Sequence, residues 1–396
     1  MSAAEQLLAE FPPVSTAEWE AAIAADLKGR SYEEKLIWRV AEGLAVRPYY
    51  RAEDLAALDL AAFDWANTAP GAFPFARGSH AQAGWRIRED IDATEPAAAN
   101  RAAVAAVAGG AEEIAFRSVS IANTSDLALL LVNLGEISAH IACADEKTVR
   151  LLFEFLTRGP RRAAISAGFD PLENLDFAAE TLAVLPANLA PFTVDASRAA
   201  PANANAVEQA GWALAAAVHF LGAMEERNID PDRAAAAIEF SLNLGANYFF
   251  EIARLRAFRM LWARVVESFR GSRQHAQARI VAHTAYPQTA IEDSHWNMLR
   301  ATTQTMSAIL GGADSISIAP FAEAAQAQNE AARRLARNTQ LLLKQEAFLA
   351  RVADPGGGSY YLEALTGSIA GRAWKIMQSI EARGGYAQSR QAGAGS

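Results

Sequence analysis

From Trp85 to about Pro320, short runs that alternate every two residues take turns with longer runs spaced at three and four, a rhythm that leaves few folds open. It is the texture of βα units around a parallel sheet. Strands are expected at Ile114 to Ile121, Ile137 to Cys143, Ala163 to Ala167, Phe192 to Ser197, Ala278 to Thr284 and Ser315 to Ala319. Helices are expected at Ala206 to Glu226, Pro231 to Leu242, Tyr248 to Phe269 and Trp296 to Leu310. With 396 residues the chain has room for two or three units, or for one α/β barrel with added arms.

The strands pair small polar faces with apolar ones. Val119 and Ile121 oppose Ser118 and Ser120; Ile316 and Ile318 oppose Ser315 and Ser317; Ile137, Ala139 and Ile141 oppose Ser138 and His140; Phe192 and Val194 oppose Thr193 and Asp195. Apolar faces packed on outer helices would turn the polar ones toward a barrel axis, which would then be hydrated and able to take a flexible polar chain such as a pantetheine arm. An antiparallel sheet with one wet face fits the same pattern.

Ahead of this region, Ser15 and Glu18 have capping-box spacing and open a helix to about Leu27, broken at Gly29. The stretch from Tyr32 to Arg51 reads as an arm, and Asn67 to Gly84, rich in Ala, Pro and Gly, as a linker. Beyond Pro320 the pattern is helical, interrupted at Gly356, Gly357 and Gly358, with a frayed tail from Gln388.

Composition excludes several functions. Lys and Arg number 36 against 45 Asp and Glu, a net charge of -9, and no basic cluster is long enough to follow a phosphate backbone. Nucleic acid is not an expected partner. Cys143 stands alone, so intrachain disulfides, CxxC chemistry and thiolate metal cages are out, and no metal site is expected. The opening MSAAEQLLAEFPPVS lacks a basic n-region and a long apolar stretch, and no later run suits a membrane, so a cytoplasmic protein is expected.

The usual catalytic signatures are absent. There is no GxGxxG after a strand, no GxxxxGK[ST], no GxSxG and no HExxH. Asp293, Ser294 and His295 form a DxH triplet, but Met298 stands where a cobalamin-binding DxHxxG needs glycine, so the triplet reads as chance. His140 and His283 fall on inward strand faces and are the histidines of interest, while His219 sits in an apolar helix as a structural residue. Arg254, Arg256, Arg259 and Arg264 read as a solvated or interface face of their helix.

Several segments together resemble the methylmalonyl-CoA mutase family. They are YFFEIARLRAFRMLWARVVESF (Tyr248 to Phe269), LRATTQTMSAILGGADSISIAPF (Leu299 to Phe321), RLARNTQLLLKQEAFLARVADPGGGSYYLEALT (Arg334 to Thr366) and AWKIMQSIEARGGY (Ala373 to Tyr386). FPPVSTAEWEAAIAADLKG, VRPYYRAEDL and PFARGSHAQAGWRIREDI in the first half are similar to the small, non-catalytic subunit of the heterodimeric bacterial enzymes. The resemblance implies an α/β fold, a TIM (β/α)8 barrel with an N-terminal helical arm and a C-terminal helical extension. It divides the chain into arm and linker (1–84), barrel (85–325) and extension (326–396).

Departures from the family pattern fall at its catalytic positions. The segment matching WTIRQYAG reads Trp85, Arg86, Ile87, Arg88, Glu89, Asp90, with an acid in place of the tyrosine; the SGYH segment is matched by DASRAA at Asp195 to Ala200. The family's YIFPPEPS-like run has no counterpart between Asp170 and Phe192. His283 matches the histidine of THSQT, followed by Ala285 and Tyr286. Asp90, Ser197 and Arg198 thus mark degenerate catalytic positions, and His140, Asp195, His283, Ser315 and Ser317 are candidate substrate-binding residues of the barrel interior.

The resemblance places a flavodoxin-like cobalamin-binding domain after the barrel, and the residues up to Ser396 carry no such segment. The expectation is a chain that binds no cofactor by itself, does no catalysis, and pairs as a heterodimer with a large catalytic subunit whose complex uses adenosylcobalamin to interconvert methylmalonyl-CoA and succinyl-CoA. The alternative is an acyl-CoA-binding barrel served by a separately encoded cobalamin subunit, with Asp90, Ser197 and Arg198 as substrate residues. A freestanding CoA-binding or regulatory protein is a third.

Overall fold

A computed structural model describes residues 12–40, 43–56, 65, 67–143, 145–158, 165–185, 190–285, 294–320 and 330–393. The chain divides into two compact units, residues 1–50 and 51–396.

In the smaller unit the helix Thr16–Asp26 starts at the capping box, where Glu18 N–H donates to Ser15 Oγ and Ser15 N–H donates to the Glu18 carboxylate. Gly29, at φ 81°, follows its end. A short helix, Tyr32–Leu36, leads into an antiparallel pair, Trp38–Arg39 with Ala45–Val46. Trp19 and Tyr49 rings lie 5.6 Å apart.

The larger unit is a barrel of eight parallel strands: β1 (Arg86–Ile91), β2 (Glu113–Phe116), β3 (Ser138–Ile141), β4 (Ile165–Ala167), β5 (Phe192–Asp195), β6 (Ile238–Leu244), β7 (Arg279–Thr284) and β8 (Ser315–Ser317). Each strand pairs in parallel with the next except β4 with β5, and β8 pairs with β1. Between β4 and β5 a single bridge, Phe169 to Phe192, closes the ring, with Thr193 N–H donating to Phe169 O at 2.9 Å. All-parallel pairing excludes the antiparallel sheet.

The helices following the strands are α1 (Pro96–Ala108), α2 (Thr124–Leu131), α3 (Glu146–Arg158), α4 (Leu175–Val184), α5 (Ala206–Glu226), α6 (Tyr248–Ser268), α7 (Ser294–Leu310) and α8 (Glu330–Gln345). Two more, α9 (Tyr360–Ala382) and α10 (Gly385–Gly393), complete the chain, and α9 packs on α5 and α6. Caps set several starts: Asn123, Asn174 and Asn205 each accept backbone N–H bonds at the heads of α2, α4 and α5.

Four expectations change. The region Pro231 to Leu242 is a six-residue helix, Pro231–Ala236, followed by β6, because Ile238, Phe240, Leu242 and Leu244 alternate with Glu239, Ser241 and Asn243 at the period of a strand. Strand β1 was not among the expected strands: RIREDI is too charged to read as one until its charges are paired. The strand beginning near Ile114 ends at Phe116, so the alternation of Val119 and Ile121 with Ser118 and Ser120 lies outside it. The tail is helical to Gly393, with Ser389 buried. Residues 286–293, including Tyr286 and Asp293, lie outside the described residues.

A fifth correction concerns the arginines of α6. Arg254, Arg256 and Arg259 are each at most 1% exposed, and only Arg264 is on the surface. Arg259 donates to the carbonyls of Phe75, Ala76 and Gly312, and Arg256 pairs with Glu363 of α9 at 2.8 Å. Arg254 pairs with Glu251 and donates to Asn243 O. Buried guanidinium groups are tolerated when so paired, and the acceptors of Arg256 and Arg259 come from segments far away in sequence. Within 67–84, read as a linker, Phe75 and Ala76 are therefore buried, and Ser79 Oγ donates to Ala278 O ahead of β7.

Candidate functional site

The outward faces of the barrel strands are mostly apolar and pack on helices: Phe240, for example, meets Phe258 and Trp262 of α6 edge to face at 4.8 and 4.9 Å. The inward faces are polar and charged. Arg88 of β1, 3% exposed, lies at the centre of the barrel, 3.0 Å from Glu113 of β2, 3.6 Å from Glu239 of β6 and 3.3 Å from Asp90 of its own strand. Burial opposes its charge, but these three carboxylates outweigh burial and raise its pKa. His140 of β3 stands beside this cluster, its Nδ1 2.9 Å from Ser166 Oγ and 3.5 Å from Glu239. A side chain at Gly168 would collide with the His140 ring. Burial, reinforced by Arg88 and Arg117, holds His140 well below the usual imidazole range, so the ring is neutral at pH 7. Burial also raises Glu239, against the pull of Arg88.

Above this layer, at the carboxyl ends of the strands, a cavity of about 320 Å³ opens. Asp90 and His283 meet there with Arg117, which follows β2: Arg117 donates to Asp90 Oδ2 from Nε at 2.9 Å and from Nη2 at 2.5 Å, and lies 3.4 Å from His283 Nδ1. Burial works against the Asp90 carboxylate, yet Arg117 and Arg88 outweigh it and hold the carboxyl far below its ordinary range. Burial pushes His283 down to about 4, with Arg88 and Arg117 adding to the effect and Asp90 opposing it. On the rim, Arg333 and Arg337 of α8 both face Glu89, which points outward from β1.

Of the residues singled out in the sequence, Asp90, Asp195, His283 and Ser317 line this cavity. His140 and Ser315 lie deeper, Ser315 at 1% exposure with its hydroxyl toward Arg86 O. Asp195 caps the short helix Ala196–Ala199, its Oδ1 accepting from Ser197 N–H, Ser197 Oγ and Arg198 N–H. Arg198 points away to solvent near Glu173. Arg88, Glu113, Arg117, Glu239, Ser241, Asn243 and Arg337 were not anticipated. Two-residue alternation in RIREDI and IEFSLNL was the available signal, since it sets Arg88 and Asp90 on one face and Glu239, Ser241 and Asn243 on one face.

The methylmalonyl-CoA mutase family model matches residues 172–395, more than half of the chain. The chain belongs to the methylmalonyl-CoA mutase family. Its relatives include the methylmalonyl-CoA mutase small subunit of Porphyromonas gingivalis, 35% identical over 98% of this chain and 66% of that protein. Proteins of the same name from Streptomyces virginiae (33% identical; 98% of this chain, 67% of that one) and Propionibacterium freudenreichii subsp. shermanii (30%; 97% and 64%) are similar over the same extent. The chain thus spans about two thirds of the length of these relatives.

One group associated with this mutase family can be set against the site. A pantetheine arm along the barrel axis does not fit, because the side chains of Arg88, Glu113 and Glu239 occupy it. Among the described residues no group of three or more His, Cys, Asp or Glu could hold a metal ion, and the His283 Nδ1 at the mouth is turned to Arg117 and Asp90. Among those residues no helix is long and apolar enough to cross a membrane.

Proposed function

We propose that this chain is a catalytically silent barrel that pairs with a large, catalytic methylmalonyl-CoA mutase subunit in a cytoplasmic heterodimer and stabilises it. The observation that carries this reading is the ion cluster on the barrel axis. Arg88, Glu113 and Glu239 are each at most 5% exposed and pair with one another where an acyl-CoA arm would run. Opening that path would leave at least one charge buried and unpaired, at a cost of about 3–5 kcal/mol. The acid at Asp90 adds to the argument: locked between two guanidinium groups, it offers no phenol to a radical rearrangement and no proton near neutral pH.

The partner is inferred from the small-subunit names of the relatives and from the smaller unit of this chain. Its helix Thr16–Asp26 buries none of its residues, and Trp19 and Trp38 are about half exposed. An isolated helix of this length is marginal in water, and exposed aromatics are the usual anchors of a protein interface. Adenosylcobalamin and the acyl-CoA would then belong to the partner, and the complex would interconvert methylmalonyl-CoA and succinyl-CoA.

Co-expression with a large-subunit homologue followed by gel filtration tests the pairing, and a single heterodimeric peak is expected. Calorimetry of the isolated chain with methylmalonyl-CoA is expected to show no binding. Saturable binding there would overturn the silent barrel in favour of an acyl-CoA-binding barrel served by a separate cobalamin protein.

A further inference from the structure

The cavity above the ion cluster is closed below by Arg88 but is not itself filled, and its polar groups are unevenly satisfied. On the β6 to β8 side stand Ser241, Asn243 and Ser317. Ser241 and Ser317 are at most 9% exposed, and none of the three side chains has a hydrogen-bond partner among the described residues. On the side of β1, β2 and α8, Arg117 spends Nε and Nη2 on Asp90, and Arg337 spends Nε on Gly109 O and Nη1 on Glu89. Arg117 keeps Nη1 unspent on described residues, whereas Nη2 of Arg337 is packed against the backbone of Gly109.

Buried hydroxyls facing a cavity carry an unmet hydrogen-bond demand, which water or a ligand must satisfy. The open guanidinium edge of Arg117 favours a carboxylate or phosphate. The carboxylate of Asp195 across the mouth has Oδ1 committed to its helix cap, and it disfavours a second negative charge on the ligand. With His283 neutral, the inner side formed by β6, β7 and β8 offers hydroxyl, amide and imidazole groups. At about 320 Å³ the cavity is at the small end of ligand pockets.

We infer that the mouth of this barrel binds a small monoanion, a short hydroxy acid in chemical class, whose oxyanion lies against Arg117 and whose hydroxyl is read by Ser241, Asn243 and Ser317. The site needs neither an open barrel axis nor a partner subunit, so it stands or falls independently of the proposed function.

The test uses the full chain, with glycolate as probe and acetate as the comparator lacking the hydroxyl, read by isothermal calorimetry. Saturable glycolate binding, tighter than that of acetate, is expected. Arg117→Gln should weaken both by about tenfold or more, the loss of a charge-assisted bond. Ser317→Ala should weaken glycolate by about threefold or more and leave acetate nearly unchanged. Absence of saturable binding by the unaltered chain overturns the inference, as does undiminished binding by Arg117→Gln, which would mark an adventitious surface site. Should Arg117→Gln fail to fold by circular dichroism, Ser317→Ala decides: unchanged glycolate affinity overturns the site.

Discussion

Arg88 Nη1 lies 3.0 Å from Glu113 Oε1, and the two residues are register partners on the adjacent parallel strands β1 and β2. The pairing is local to one ladder, but its consequence is global. Arg88 also reaches Glu239, three strands away in the other direction around the ring, so a single guanidinium ties distant walls of the barrel together. Barrels of this kind usually fill their interior with branched apolar residues. Here the filling is ionic.

Replacing Arg88 should therefore be costly. Arg88→Met leaves Glu239 buried without its counter-charge and Glu113 with Arg86 alone, and a loss of about 3–5 kcal/mol in unfolding free energy is expected. Urea titration measures it. Adding Glu113→Gln to Arg88→Met should recover part of the loss, and a double variant no better than the single one would contradict the ion-cluster account.

Acid should weaken the fold through His283. Its pKa is pushed down to about 4 by burial, whereas an unfolded imidazole takes up its proton near 6.5. Between those values the unfolded chain binds more protons, so stability falls as the pH drops through this window. Between pH 7 and pH 5, His283→Gln should remove a contribution on the order of 2 kcal/mol from that fall. Glu239 and Glu89, both raised by burial, act in the opposite direction, so the readout is the difference between wild type and variant in urea midpoints at pH 7 and pH 5.

The strap at 67–84 depends on Arg259. Arg259→Leu strips a donor from the carbonyls of Phe75, Ala76 and Gly312, and each buried acceptor so orphaned costs about 1–3 kcal/mol. Hydrogen exchange in this segment should rise more than in β6, where exchange reports global opening. Equal increases in both would show that Arg259 acts on the whole fold and not on the strap.

Cys143 should be inert in the folded protein. It is buried, and burial pushes its thiol up to about 12, leaving almost no thiolate at pH 8. A colorimetric thiol reagent should register one thiol only after denaturation. Rapid labelling of the native chain would show that Cys143 is accessible.

Much of this architecture could be read in the linear order of residues. Parallel βα layering followed from the alternation of runs, the Ser15 and Glu18 cap from its spacing, and the polar inner faces of β3, β5 and β8 from their two-residue period. Strands β1 and β6 escaped notice because charge in RIREDI and a preceding alanine-rich turn in the other case masked the same period. Family membership was carried by long segments whose likeness does not depend on local structure at all.

What only the folded chain decided is which polar groups meet. Periodicity assigns a side chain to a face, and says nothing of what that face will touch across a barrel or beneath it. Arg88 and Glu239 are 151 positions apart, the difference of their residue numbers, yet lie within 3.6 Å, and Arg256 looks like a surface residue until Glu363 arrives from α9. A buried charge survives through partners brought by tertiary closure, so its role is a property of the assembled barrel and not of the segment that carries it.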